Sequence, residues 1–98
     1  MHRFKAPDRR RPILVLTRQN AIQWLDTVMV APVTSTIRGL PSEVIVGPNE
    51  GLKRTSAVNL DHVQTVERAM LTQYVGSLPP DTMRAVCHAL AVATGCSD

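Results

Sequence analysis

Hydrophobic and polar positions along the chain fall into five short apolar runs followed by one longer segment of different period. Pro12–Leu16 is continuously apolar and branched, which predicts a strand buried on both faces. Arg18-Gln-Asn breaks it, and Ala21–Trp24 suits a single helical turn. Asp26–Ser35, "DTVMVAPVTS", predicts the second strand, with a kink or edge at Pro32 because proline has no N–H for a ladder. Ser42–Gly47 predicts a third, closed by Gly47-Pro48-Asn49 and Gly51. Ser56–Val66 alternates through Val58, Leu60 and Val63 as a half-exposed strand, and Leu71–Leu78 predicts the last. "HRFKA" adds a possible short first strand carrying Phe4.

After Pro79-Pro80 the period changes. Met83, Val86, Cys87, Leu90 and Ala93 recur at helical spacing. Pro80 suits a first turn, Asp81 complements the positive end of the dipole, and Gly95 suits the stop. This reading places Cys87 in the core as an inert thiol. The fold class is therefore mainly β with a C-terminal helix (α+β), a small, partly open antiparallel barrel of about five strands. At 98 residues, the chain fits one domain spanning 1–98.

Composition narrows the choice. Phe4, Trp24 and Tyr74 are the only aromatics, so Val, Ile, Leu, Ala and Met must build the core. Trp24, in the loop after the Pro12–Leu16 strand, is read as packing in a dimer interface in preference to stacking on a base. The cysteines, Cys87 and Cys96, and the histidines, His2, His62 and His88, show no metal-binding spacing. His62 reads as structural, and His88 as a residue at the helix boundary. No apolar run is long enough for a membrane helix and no secretory segment precedes the first strand, so the expected location is the cytoplasm.

Charge is unevenly placed. The net charge is +3, yet residues 1–18 hold Arg3, Lys5, Arg9, Arg10, Arg11 and Arg18 against Asp8 alone. Such a patch favours a polyanion, and guanidinium grips phosphate in a bidentate fork. Carboxylates are dispersed, and no G-x-S-x-G, P-loop or H-E-x-x-H pattern occurs. Chemistry on a phosphate would then proceed without a metal or other cofactor. RNA supplies its own nucleophile, the 2′-OH, so the protein need only position the strand, move protons and stabilise phosphoryl charge. An arginine at a strand start and a threonine at the end of the neighbouring strand meet that need. "RRP" and "VAPVTST" hold such a pair.

R-P-I-L-V-L followed by V-M-V-A-P-V-T-S resembles the core of the MazF/PemK family of toxin endoribonucleases. The S-x-V-x-x-D-x-[IV]-x-T-[IV] pattern at Ser56–Val66 and "PPDTMRAVCHALAVATG" extend the resemblance from about Arg11 to Gly95. It implies an SH3-like barrel acting as a homodimer. It also implies sequence-selective, metal-independent cleavage of single-stranded RNA to 2′,3′-cyclic phosphate and 5′-OH ends, and inhibition by a cognate antitoxin. Arg11 takes the place of the family's catalytic arginine and Thr34 that of its threonine, with Ser35 as a further candidate. Arg9, Arg10, Arg18 and Arg38 are expected to contact RNA phosphates. The family usually opens with an R-G-[DE]-[IV]-[YW] strand and a loop. Here only "MHRFKAPDRRRP" precedes the core, so the first strand must be short and the loop nearly absent. A reduced member of this kind suits a second reading, a non-catalytic small barrel that binds nucleic acid or an acidic peptide.

Overall fold

A computed structural model describes residues 2–6 and 12–96. The strands are β1 (His2–Ala6), β2 (Ile13–Val15), β3 (Thr27–Thr34), β4 (Glu43–Val46), β5 (Ser56–Asn59), β6 (Gln64–Glu67) and β7 (Gln73–Leu78). The helices are a single turn, α1 (Gln19–Ile22), and the long α2 (Pro80–Thr94). Every strand pairing is antiparallel, in the order β4-β5-β3-β2-β1-β7, with β6 also on β3. Seven strands are described where the apolar runs predict about five, for two reasons. "HRFKA" does pair, against both β2 and β7. The Ser56–Val66 run is cut in two where the Asn59 side chain accepts the Asp61 N–H (2.9 Å) and folds Leu60–His62 into a 3-10 turn.

β3 is the axis of the sheet. Its first half pairs with β6, from Thr27↔Glu67 to Val30↔Gln64, and its end pairs with β5 at Val33↔Val58 and Thr34↔Ala57. Pro32 falls in the gap between these two partners. Its missing N–H is therefore lost where no ladder bond is required on that side, which explains how proline sits inside the longest strand.

Alternation along β3 separates two apolar clusters. Ala31 and Val33 face the main core with Phe4, Leu14, Val58, Leu60, Leu78 and, from α2, Val86 and Ala89. Val28 and Val30 face the other way and pack with Val15 and Leu71, flanked by Ile13, Ile22 and Val66. Burying each large side chain contributes roughly 1.5–3 kcal/mol, so the main core anchors α2 and the second cluster anchors the α1 turn.

Helix α2 starts at Pro80 as read and stops at Gly95, whose φ of 76° lets its N–H reach Ala91 and Val92. Its inward line is Val86 and Ala89, with Met83, Leu90 and Ala93 partly buried. Cys87 is exposed, which corrects its reading as a core thiol: the helix is rotated toward the small Ala89 and so carries Cys87 to its flank. Trp24 is 80% exposed in the single chain, as a residue held for a dimer interface would be. Among the described residues no helix is long and apolar enough to cross a membrane.

Candidate functional site

The end of β3 separates two clefts. The first, about 540 Å³, opens over the end of the main core between β1, β2, β3 and β7, and Pro12, Ser35, Lys53, Arg54 and Gln73 border it. The turn Pro48–Glu50 packs against β7, which contributes Gln73 and Val75 to this cleft. Glu50 Oε1 accepts the Gly47 N–H (2.9 Å), and Gly51 turns with φ +95° against β7. The approach is close enough that a Cβ on Gly76 would stand 2.0 Å from the Glu50 carbonyl oxygen.

The second cleft, about 250 Å³, lies on the opposite side of β3 and is lined by Pro32, Thr34, Thr36, Arg38, Glu43, Asn59, His62 and Gln64. Its frame is a set of local hydrogen bonds. Glu43 Oε1 accepts the N–H groups of Arg38 (3.1 Å) and Leu40 (3.2 Å), which fixes the loop that carries the Arg38 side chain. Ser42 donates to Asp61 (2.5 Å), and the Leu60 N–H reaches the Ser42 carbonyl (3.0 Å), so the Leu60–His62 turn is tied to the same loop. Thr34 Oγ1 accepts the Thr36 N–H at 3.1 Å. A hydroxyl holding that N–H on a lone pair keeps its own proton available as a donor. The cleft therefore presents a neutral donor, a guanidinium, an imidazole and two amide side chains to one small volume.

Thr34 and Arg38 are thus brought together. Ser35 is not with them: it is the first residue beyond β3 and borders the first cleft, alongside Val33. Arg18 is exposed at the head of α1 and borders neither cleft. Arg9, Arg10 and Arg11 lie outside the described residues; their neighbour Pro12 accepts the Val33 N–H at 3.3 Å, one residue before Thr34. His62, read as a structural residue in a strand, instead stands exposed on the 3-10 turn and lines the Thr34 cleft with Gln64. The alternating pattern hid it, since an Asx turn within an apolar run leaves the spacing intact.

A family model for the PemK-like, MazF-like toxin of type II toxin-antitoxin systems matches residues 3–94. The chain belongs to the MazF/PemK toxin family. It is 51% identical over 89 residues to a protein named probable endoribonuclease MazF5 of Mycobacterium tuberculosis, covering 90% of this chain and 82% of that one. The solved structure of M. tuberculosis toxin MazF-mt6 superposes with a TM-score of 0.88 at 35% identity, covering 99% of this chain and 97% of that one. An endoribonuclease in complex with its cognate antitoxin, from a mycobacterial species, superposes with a TM-score of 0.80 at 28% identity, covering 96% and 90%. As a MazF-family toxin, the chain has the sheet and closing helix of these structures, and its two clefts lie on a scaffold shared with them.

Proposed function

We propose that this chain is the toxin of a type II toxin–antitoxin pair and an endoribonuclease that cuts single-stranded RNA at the Thr34 cleft. The observation that carries the reading is the gathering of Thr34, Arg38, His62 and Gln64 in one cleft beside the β2–β3 strand pair. Arg11 is joined to Pro12, and consecutive Cα atoms are about 3.8 Å apart. A long guanidinium side chain therefore starts one residue from the partner of Val33, and Thr34 follows Val33.

In the reaction the ribose 2′-oxygen loses its proton and attacks phosphorus, and the P–O5′ bond breaks. The 5′-oxygen takes up a proton, leaving a 2′,3′-cyclic phosphate and a 5′-OH. Arg11 supplies parallel N–H donors to the phosphoryl oxygens and the Thr34 hydroxyl adds a neutral one. Ser35 faces the neighbouring cleft and serves there as a secondary contact. Arg9, Arg10, Arg18 and Arg38 hold flanking phosphates. No cofactor is required by this chemistry. The cognate antitoxin competes with RNA for the cationic surface. The chain acts in the cytoplasm as one domain over residues 1–98 and as a homodimer. The apolar groove of about 560 Å³ between α2 and the β3–β6 side, with Met29, Leu60, Val63 and Leu90, supports that assembly.

Purified protein incubated with mixed RNA in excess EDTA tests this. Discrete fragments with cyclic phosphate ends are expected, with loss of cutting in Arg11→Ala. An Arg11→Ala variant that cuts as well as the parent removes that assignment. Salt-sensitive RNA binding without any cutting assigns the non-catalytic module instead.

A further inference from the structure

Beyond the Thr34 cleft, the same face of the sheet carries a row of side chains that the reaction leaves unused. Directly opposed residues on antiparallel strands share a face. Pro32 of the Thr34 cleft opposes Ile13, Ile13 opposes Lys5, and Lys5 opposes Tyr74. Four strands thus set Pro32, Ile13, Lys5 and Tyr74 side by side. Neighbouring strands are about 4.8 Å apart, so Lys5 stands roughly 10 Å from Pro32.

The far end of the row is cationic and aromatic. Lys5, Arg3 and Arg68 border a pocket of about 110 Å³ whose apolar lining includes Val15, Val28 and Leu71. Tyr74 is 59% exposed, and the Arg3 guanidinium carbon lies 5.7 Å from its ring centroid. Arg68 is pre-oriented, since its Nη1 donates to the Ile22 carbonyl at 2.8 Å and its remaining N–H groups stay available. Among the described residues no carboxylate lies within salt-bridge distance of Arg3, Lys5 or Arg68, the only such pair being Arg84–Asp81. A register shift between Phe4 and Lys5 interrupts the β1–β7 ladder beside Lys5 and Tyr74. Such bulges commonly re-aim side chains near functional sites.

Cations interleaved with an exposed ring on an open surface are the features that hold a single strand, phosphates on the charges and bases on the ring. We infer that Lys5, Arg68, Arg3 and Tyr74 form a second RNA subsite, which takes a nucleotide flanking the scissile step after the strand has crossed β2 from the Thr34 cleft. The inference rests on the RNA-cleaving reading and deepens it. Tyr74 stacks a base, Lys5 and Arg68 hold a phosphate, and Arg3 backs the ring. These are positioning contacts, remote from the reacting atoms, and they make a longer RNA bind more tightly than a short one.

The test compares a short oligoribonucleotide spanning the cut with the same oligomer lengthened on both sides. Affinities are read by fluorescence anisotropy in the Arg11→Ala background, and KM is read in the parent. Tyr74→Ala and Lys5→Gln are each expected to shrink the long-over-short advantage about tenfold, from the loss of one stacked base or one phosphate contact. Tyr74→Phe, which keeps the ring, restores it. Matching melting temperatures exclude misfolding, and Arg68→Gln provides an independent variant if either substitution unfolds the chain. An unchanged long-over-short ratio in folded variants overturns the subsite. So does a ratio that stays constant while binding of an oligo-glutamate peptide weakens, because the surface then serves an acidic protein partner. A parent that binds RNA with this length dependence but never cuts it retires the nuclease reading and leaves the subsite standing.

Discussion

Thr34 and Ser35 are consecutive residues that serve different clefts: Thr34 lines the one with Arg38 and His62, and Ser35 borders the one with Lys53 and Arg54. Thr34 is the last residue of β3 and Ser35 the first beyond it, so their hydroxyls are inequivalent. Thr34→Val should lower the RNA cleavage rate about 10²-fold, the usual cost of deleting one donor to developing charge. Thr34→Ser should retain most of the rate, because it keeps both the donor and the acceptor for the Thr36 N–H. Ser35→Ala should lower the rate far less than Thr34→Val. Equal losses at the two positions, in single-turnover assays, would put the reacting phosphate at the shared strand end rather than in the Thr34 cleft.

Much of this was legible in the residues, and the exceptions have specific causes. The R-P and P-V-T-S strings mark β2 and the end of β3, and Pro32 was readable as a special strand position because its missing N–H restricts where a ladder admits it. The α2 boundaries followed from Pro80 and Gly95. Its rotation did not, because Cys87 and Ala89 are both apolar by composition and only the depth available above the sheet selects the smaller one. His62 was missed because the Asn59 side chain turns the backbone without disturbing the apolar spacing. The row from Pro32 to Tyr74 was beyond reach, since it joins four strands and depends on their register. Arg9, Arg10 and Arg11 lie outside the described residues, and their roles are read from the R-R-R-P string and its charge.

Gly76 should be far less tolerant than Gly39. An added Cβ on Gly76 meets the Glu50 carbonyl oxygen at 2.0 Å, a backbone atom that cannot swing aside. Gly39 has φ +73° but nothing within 4 Å of an added Cβ. Gly76→Ala should cost about 1–3 kcal/mol or more through overpacking, while Gly39→Ala pays only the smaller cost of a left-handed conformation, of order 1 kcal/mol. Urea unfolding of both variants measures the difference. A Gly76→Ala protein as stable as the parent would mean that the Pro48–Glu50 turn does not pack on β7.

Phe4 makes β1 integral to the domain despite the shortness of the strand. Its side chain is fully buried at 0% exposure and packs in the main core with Leu14 and Leu78. Phe4→Ala should cost about 3–5 kcal/mol, the range for emptying a buried aromatic site. Phe4→Leu should cost less, because it leaves a smaller cavity. Losses below 1 kcal/mol, roughly the scale of a surface substitution, would show that β1 is dispensable to the core.

His2 should make the fold lose stability in mild acid. It opposes Leu78 at the sheet end and borders a groove with Met83 and Cys87. Chiefly through burial, its pKa is held below the ordinary 6.5, although a backbone hydrogen bond with Leu16 opposes the shift. The unfolded chain therefore takes the proton first as pH falls. The contribution of His2 is fully present above pH 6.5 and diminishes as pH drops through 6.5 toward the lower folded value. Below both values it is constant. Unfolding curves at about pH 7.5 and about pH 5 should show a decline attributable to this side chain, smaller in His2→Gln, whose amide does not titrate in that range. A decline of equal size in His2→Gln would assign the acid sensitivity to another group.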